Sequence, residues 1–135
     1  MRPADDPAIA EAERLLRRLP GCASPEDAAH LAARELPALV GVDWATFTPA
    51  SAYTGNPADQ PHGQVAAAAL ADRCVYSQGG PPTVAAVPVW TDVAPAGVIL
   101  LGRARGLCTP QLRMAALVAE HAGAVAASIQ LARTA

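Results

Sequence analysis

Apolar residues recur at helical spacing in two stretches near the start of the chain. In the first stretch the residues that share one helical face are Ile9, Ala12, Leu16 and Leu19. In the second stretch they are Ala28, Leu31, Ala32, Leu36 and Leu39. Helix-starting signals precede both stretches, at Asp5-Asp6-Pro7 and at Ser24-Pro25-Glu26-Asp27. Helix-ending residues follow both, at Pro20-Gly21 and at Gly41. The pattern therefore predicts two short amphipathic helices at the start of the domain.

The pattern after residue 43 is that of strands, interrupted by further helices. The predicted strands are Trp44–Thr48, Arg73–Ser77, Thr83–Trp90 and Gly97–Arg103. The predicted helices are Gly63–Asp72 and a long one from Thr109-Pro110 to about Arg133. Residues 49–61 carry three prolines, which predicts a loop with at most a short strand near Ala52–Thr54. Residues 78–82 must be irregular, and Pro95 lies in the expected hairpin loop between the last two strands.

The run Val98–Leu101 is apolar at every position, which is typical of a central strand covered on both faces. Together with the order of elements, this predicts an α+β fold. We expect a largely antiparallel sheet with the N- and C-terminal helices packed on one face. We also expect a single domain over residues 1–135, with a leading helix in 1–23 and the core domain in 24–133.

The amino-acid composition argues against several classes of protein. Apolar residues make up 52% and charged residues 16%, which excludes intrinsic disorder. A net charge of −2 argues against a nucleic-acid surface, whose footprint is a basic stripe. No strictly apolar run approaches the length of a membrane span, so we expect no membrane insertion. Three scattered cysteines suit reduced thiols in the cytoplasm.

Five segments have an order and spacing typical of one known family. In chain order they are Ala28–Thr48, Gly63–Ala66, Ala85–Trp90, Ala96–Leu101 and Cys108–Ala122. The first resembles the helix and first strand of GAF domains, and the second resembles the segment after the family's second strand. The next two resemble the late hairpin, and the last is similar to the final helix. This resemblance implies a GAF-like fold and a sensory or regulatory role in signal transduction.

The resemblance also bears on ligands. Members of the family bind cyclic nucleotides, bilins, haem or small metabolites, and others only dimerise. The segment between Thr48 and Gly63 is shorter than the family usually shows, which implies a small or open pocket, or none. No cysteine stands in a context suited to bilin attachment, and the string associated with cyclic-nucleotide binding is missing, so we expect no cofactor. The candidate ligand-binding residues are Trp44, Thr46, His62, Tyr76 and Trp90.

Side-chain alternation places Trp44 and Thr46 on one face of their strand and Phe47 on the other. The sequence leaves open which of these faces meets the helices. A domain that binds a ligand would have an apolar cavity lined by Thr46, Tyr76 and their neighbours.

Candidate catalytic and metal-binding groups are few. His30, His62 and His121 are too far apart to form a zinc-ligand pair, and we expect no metal. No Ser-His-Asp set, carboxylate pair or phosphate-binding loop can be assembled, so we expect no enzyme. Cys108 precedes a helix N-terminus, which favours a reactive thiolate. The resemblance to GAF domains also implies a third hypothesis, a thiol-based methionine-sulfoxide reductase, after a ligand-binding sensor and a dimerisation module without ligand. In the GAF-like family with that activity the catalytic cysteine lies before the late hairpin, whereas Cys108 lies after it.

The final helix is longer than a small sheet requires, and its small and apolar residues form two rows. One row comprises Leu112, Ala116, Ala119, Gly123, Ala126 and Gln130. The other comprises Leu117, His121, Ala124, Ser128 and Leu131. If one row covers the sheet, the second faces solvent unless a partner covers it. Gly123, Ala127 and Ser128 would let another helix approach, with Leu15, Leu16 and Leu19 completing a bundle. We therefore expect a homodimer through the terminal helices, with any signal passing to a separate effector protein.

Overall fold

The structure, a computed structural model, describes residues 7–53, 55–56, 59–60, 62–78, 83–91 and 94–134. The helices are α1 (Pro7–Arg18), α2 (Pro25–Val40), α3 (Gly63–Asp72) and α4 (Thr109–Thr134). The strands are β1 (Trp44–Pro49), β2 (Tyr76–Gln78), β3 (Thr83–Trp90) and β4 (Pro95–Arg103). Short 3₁₀ helices cover Leu19–Gly21 and Ala50–Tyr53.

The strands form one sheet in the order β1-β4-β3-β2, and each neighbouring pair is antiparallel. β4 therefore lies in the middle, where Ile99 stands opposite Phe47 of β1 and Val87 of β3. The run Val98–Leu101 is buried throughout. The predicted α+β fold and the central position of this run are confirmed.

The helices cover both faces of the sheet. α2 and α4 pack against each other and against the sheet on one face, and α1 packs on α2. The largest side chains fully buried in that layer include Leu36, Val87, Ile99 and Leu101. The predicted grouping of the terminal helices is therefore confirmed. α3 covers the other face, where Ala66 and Ala69 belong to a second, smaller apolar cluster.

Helix α2 begins and ends at the residues that the sequence predicts. The Asp27 backbone N–H donates to Ser24 Oγ at 3.1 Å, which caps the first turn. Gly41 has a φ of 75°, and its N–H donates to the Pro37 carbonyl at 3.0 Å. The acidic cap predicted at Asp5-Asp6 lies outside the described residues.

Three local expectations differ from the structure. Ala52 and Tyr53 lie in a 3₁₀ helix and not in a short strand, while Thr54 is outside the described residues. β2 begins at Tyr76 because Arg73, with a φ of 52°, turns the chain at the end of α3, and it extends to Gln78, which was expected to be irregular but pairs with Val84 of β3. Pro95 is the first residue of β4 and not part of the turn, a position where a missing N–H is tolerated. Residues 79–82 lie outside the described part.

Candidate functional site

Trp44 and His62 form a stacked pair at the β1 edge of the sheet. Their ring centroids are 6.0 Å apart, with an angle of 27° between the planes. The indole lies over Gly102 of β4, where a Cβ would come within 2.5 Å of the ring. His62 precedes α3 in a left-handed conformation and makes no side-chain capping bond, so its imidazole is free of that role. Trp44 remains 38% exposed, which makes the pair an accessible aromatic surface.

A depression of about 510 Å³ lies beside His62, between the start of α3 and the end of β2. Its polar lining includes Gln60, Gln64, Ser77 and Gln78. These amide and hydroxyl groups can both donate and accept hydrogen bonds, which suits a small polar molecule.

Thr46 and Tyr76, two other predicted site residues, lie on strands at opposite edges of the sheet. Thr46 is exposed on β1. Tyr76 is half-buried on β2, and its hydroxyl donates a hydrogen bond to the Asp72 carboxylate. That hydrogen bond and the charge of Asp72 raise the pKa of Tyr76 to about 12. Since α3 packs over β3 and β4 between them, the structure does not bring Thr46 and Tyr76 to one cavity.

Trp90, the fifth predicted residue, lies away from Trp44, in a cleft of about 340 Å³ beside α4. A shift in register between Val89 and Trp90 interrupts the regular alternation of β3. The Arg73 guanidinium lies over the indole, 4.2 Å from the ring centroid. Within the described residues the buried Nε1 of Trp90 has no hydrogen-bond partner. The predicted site residues therefore fall into separate groups.

Helix α4 presents the second predicted row to solvent. Leu117 is 61% exposed and Leu131 is 68% exposed, and the three residues between them in this row are exposed as well. In the other row Ala119, Gly123 and Ala126 are buried. The expectation that one row covers the sheet while the other faces outward is confirmed, except that Gln130 at the end of the first row is exposed.

Two details of the predicted helix surface are wrong. Leu15 and Leu19 are fully buried in the core of their own chain, so they cannot pack on a partner. The side chain of Leu16 lies outside the described part. Gly123 is buried against the end of β3, where a Cβ would meet the Trp90 carbonyl, and so it does not open α4 to another helix.

The cysteines are all free thiols, and Cys108 is exposed at the start of α4. Gln111, which sequence reasoning missed, holds this helix end in place. Its Oε1 accepts hydrogen bonds from the Cys108 N–H at 3.0 Å and the Cys108 thiol at 3.3 Å, and its Nε2 donates to the Val40 carbonyl at 2.9 Å. The spacing of Cys108 and Gln111 is that of a capping box with cysteine in the first position. This spacing is the feature of the sequence from which the role of Gln111 could have been predicted.

Within the described residues, no group of three or more histidine, cysteine or acidic side chains is placed to hold a metal ion.

One stretch of the described residues, Thr109–Arg133, is long and apolar enough to cross a membrane by length and composition. The expectation that no segment meets this measure is wrong, because it considered only uninterrupted apolar runs. In this fold α4 buries one side against the sheet and α2, as core helices of globular proteins do.

Comparison with known proteins identifies a solved structure with a similar fold. No protein-family model matches the sequence, and no curated protein does. A similar solved structure is the "GAF domain of a putative sensor histidine kinase from Pseudomonas syringae pv. tomato". The two chains are 12% identical and align over 94% of this chain and 90% of that one, with a TM-score of 0.66. At this identity the likeness concerns architecture, and the chain has a GAF-like fold.

Proposed function

We propose that this chain is a sensory or regulatory domain of signal transduction that acts as a homodimer through α4. The observation that carries the proposal is the solvent-facing row of that helix. Its members follow one another at alternating steps of four and three residues: Leu117, His121, Ala124, Ser128 and Leu131. This is the spacing of a coiled-coil seam, in which each residue packs between those of a facing helix.

The seam is suited to a second copy of itself. It extends for about 21 Å along the helix, with leucines at both ends and Ala124 at its midpoint. A two-fold axis near Ala124 would let two such helices approach closely in the middle while the leucines pack at the ends. Burial of each leucine would stabilise the dimer by at most about 1.5–3 kcal/mol.

Homodimerisation gives this domain a means of regulation, since a change at one face can alter how two α4 helices pair. The output would then pass to a separate effector protein that reads the paired helices. The free thiols of the three cysteines suit a reducing, cytoplasmic location for this partnership.

Sedimentation of the purified chain at micromolar concentration tests the proposal. We expect a dimer for the unmodified protein and a monomer for Ala124→Glu, which places a charge at the centre of the seam. Gln130→Glu is the matched control, because it adds the same charge at an exposed position of α4 outside the seam. A monomeric unmodified protein, or an Ala124→Glu dimer as stable as the control, would overturn the proposal.

A specific observation also favours a small-molecule ligand at the Trp44 edge. An exposed tryptophan stacked on a histidine beside a polar depression can hold a planar, polar molecule between aromatic and amide groups. Native mass spectrometry of the purified chain reports its oligomeric state and any retained molecule together. We expect a bound small molecule that is lost in the double variant Trp44→Ala, His62→Ala. A dimer without any added mass would instead favour a dimerisation module without ligand.

A further inference from the structure

A second cleft lies near the opposite edge of the sheet from Trp44. It is bounded by the chain leaving α3, by the end of β3 and by α4. Its apolar wall consists of Val75, Val87, Pro88 and Ala116. Its volume of about 340 Å³ lies near the lower end of the range for small-molecule sites, roughly 300–1,000 Å³. The cleft is therefore of a size for a small metabolite.

Two opposite charges border this apolar wall. Arg73 contributes a guanidinium from the end of α3, and Glu120 contributes a carboxylate from α4. Both side chains are exposed, and within the described residues they do not form an ion pair with each other. The Arg73 guanidinium lies instead over the Trp90 indole. A cation and an anion at one small cleft, each without the other as partner, can bind a molecule that carries both charges.

The indole forms part of the cleft wall beside the guanidinium. Trp90 lines the cleft with its ring, whereas its Nε1 is buried away from solvent. A carboxylate bound to the guanidinium, whose central carbon lies 4.2 Å from the ring centroid, would therefore lie close to the indole ring.

We propose that this cleft binds a small zwitterion with an apolar body, of the chemical class of a free α-amino acid. Arg73 binds its carboxylate, and Glu120 binds its ammonium group. The valine and alanine side chains of the wall contact its apolar body. A simple carboxylate would make no ion pair with Glu120, and a simple amine would make none with Arg73.

Fluorescence of Trp90 tests the proposal in the full chain. The sequence has two tryptophans, so a Trp44→Phe background leaves Trp90 as the only tryptophan, and excitation at the red edge of the absorption band avoids the two tyrosines. Titration with L-leucine, L-valine or L-methionine should give a saturable change in its emission. Isoamylamine lacks the carboxylate of leucine, and isocaproate lacks its ammonium group. Each should bind at least about tenfold more weakly than leucine, since a hydrogen bond to a charged group is lost.

Variants separate this cleft from the rest of the molecule. Arg73→Gln and Glu120→Gln should each weaken leucine binding about tenfold or more, with unchanged circular dichroism. Arg113→Gln changes an exposed charge of α4 outside the cleft and should bind as before. His62→Ala, at the other edge of the sheet, should also bind as before, so a failure of the proposed Trp44 site leaves this result intact. No saturable change with any of the three amino acids would overturn the proposal, as would leucine binding retained in both charge variants.

Discussion

Gly123→Ala tests how closely α4 approaches the sheet. Gly123 lies in the middle of α4, against the last residue of β3. A Cβ at this position would lie 2.0 Å from the Trp90 carbonyl oxygen and 3.0 Å from its carbonyl carbon. An ordinary contact between non-bonded heavy atoms is roughly 3.5 Å, so the helix or the strand end must move by more than about 1 Å.

Two effects of opposite sign decide the result. Alanine is a better helix former than glycine, which favours the variant by about 1 kcal/mol. Overpacking a filled core costs about 1–3 kcal/mol, and the upper part of that range applies here because backbone atoms cannot turn aside as a side chain can. The free energy of unfolding should therefore fall by about 2 kcal/mol. For a domain of this size that corresponds to a melting temperature lower by about 6–10 °C.

Urea unfolding followed by circular dichroism measures this difference. Gly21→Ala is the matched control, because a Cβ at Gly21 meets nothing within 4 Å. We expect the control to be as stable as the unmodified protein or slightly more stable. If Gly123→Ala were as stable as that control, α4 would not contact the strand end as described, and the cleft beside Trp90 would lose its boundary.

Three further predictions concern the core, a tyrosine and the thiols. Ile99→Asp should unfold the domain, because Ile99 is fully buried in the central strand and an unpaired charge there is among the costliest substitutions; native circular dichroism with unchanged melting would refute this. Because the folded-state pKa of Tyr76 is about 12 against an ordinary 10.0, the stability from its bond to Asp72 is complete below pH 10 and is lost as the pH rises towards 12. Ultraviolet titration should show a late phenolate step that Tyr76→Phe removes, and a step that persists in the variant would contradict the assignment. Replacing all three cysteines by serine should leave binding intact, whereas loss of a measurable methionine-sulfoxide reductase activity would favour the enzyme hypothesis; the residues are Cys22, Cys74 and Cys108.

Local signals in the sequence determined most of the element boundaries. Ser24 and Gly41 mark the two ends of α2, because a hydroxyl cap and a left-handed glycine satisfy the helix ends within a few residues. The apolar run Val98–Leu101, a hairpin turn away from the preceding strand, located the central strand, because a strand covered on both faces is apolar at successive positions. The two rows of α4 also follow from helical periodicity alone, and the structure buries one and exposes the other.

Only the tertiary structure decided which surfaces these elements share. Alternation along β1 separated Trp44 from Phe47, but the packing of α2 and α4 decided that Phe47 faces the core and Trp44 faces outward. The register shift before Trp90 and the close approach at Gly123 depend on residues far apart in the chain, so no local pattern could indicate them. The cleft lined by Arg73 and Glu120 also depends on residues far apart in the chain, so no local pattern could indicate it. Periodicity reports which residues lie on one side of an element, whereas contacts between elements depend on how those sides pack in the folded chain.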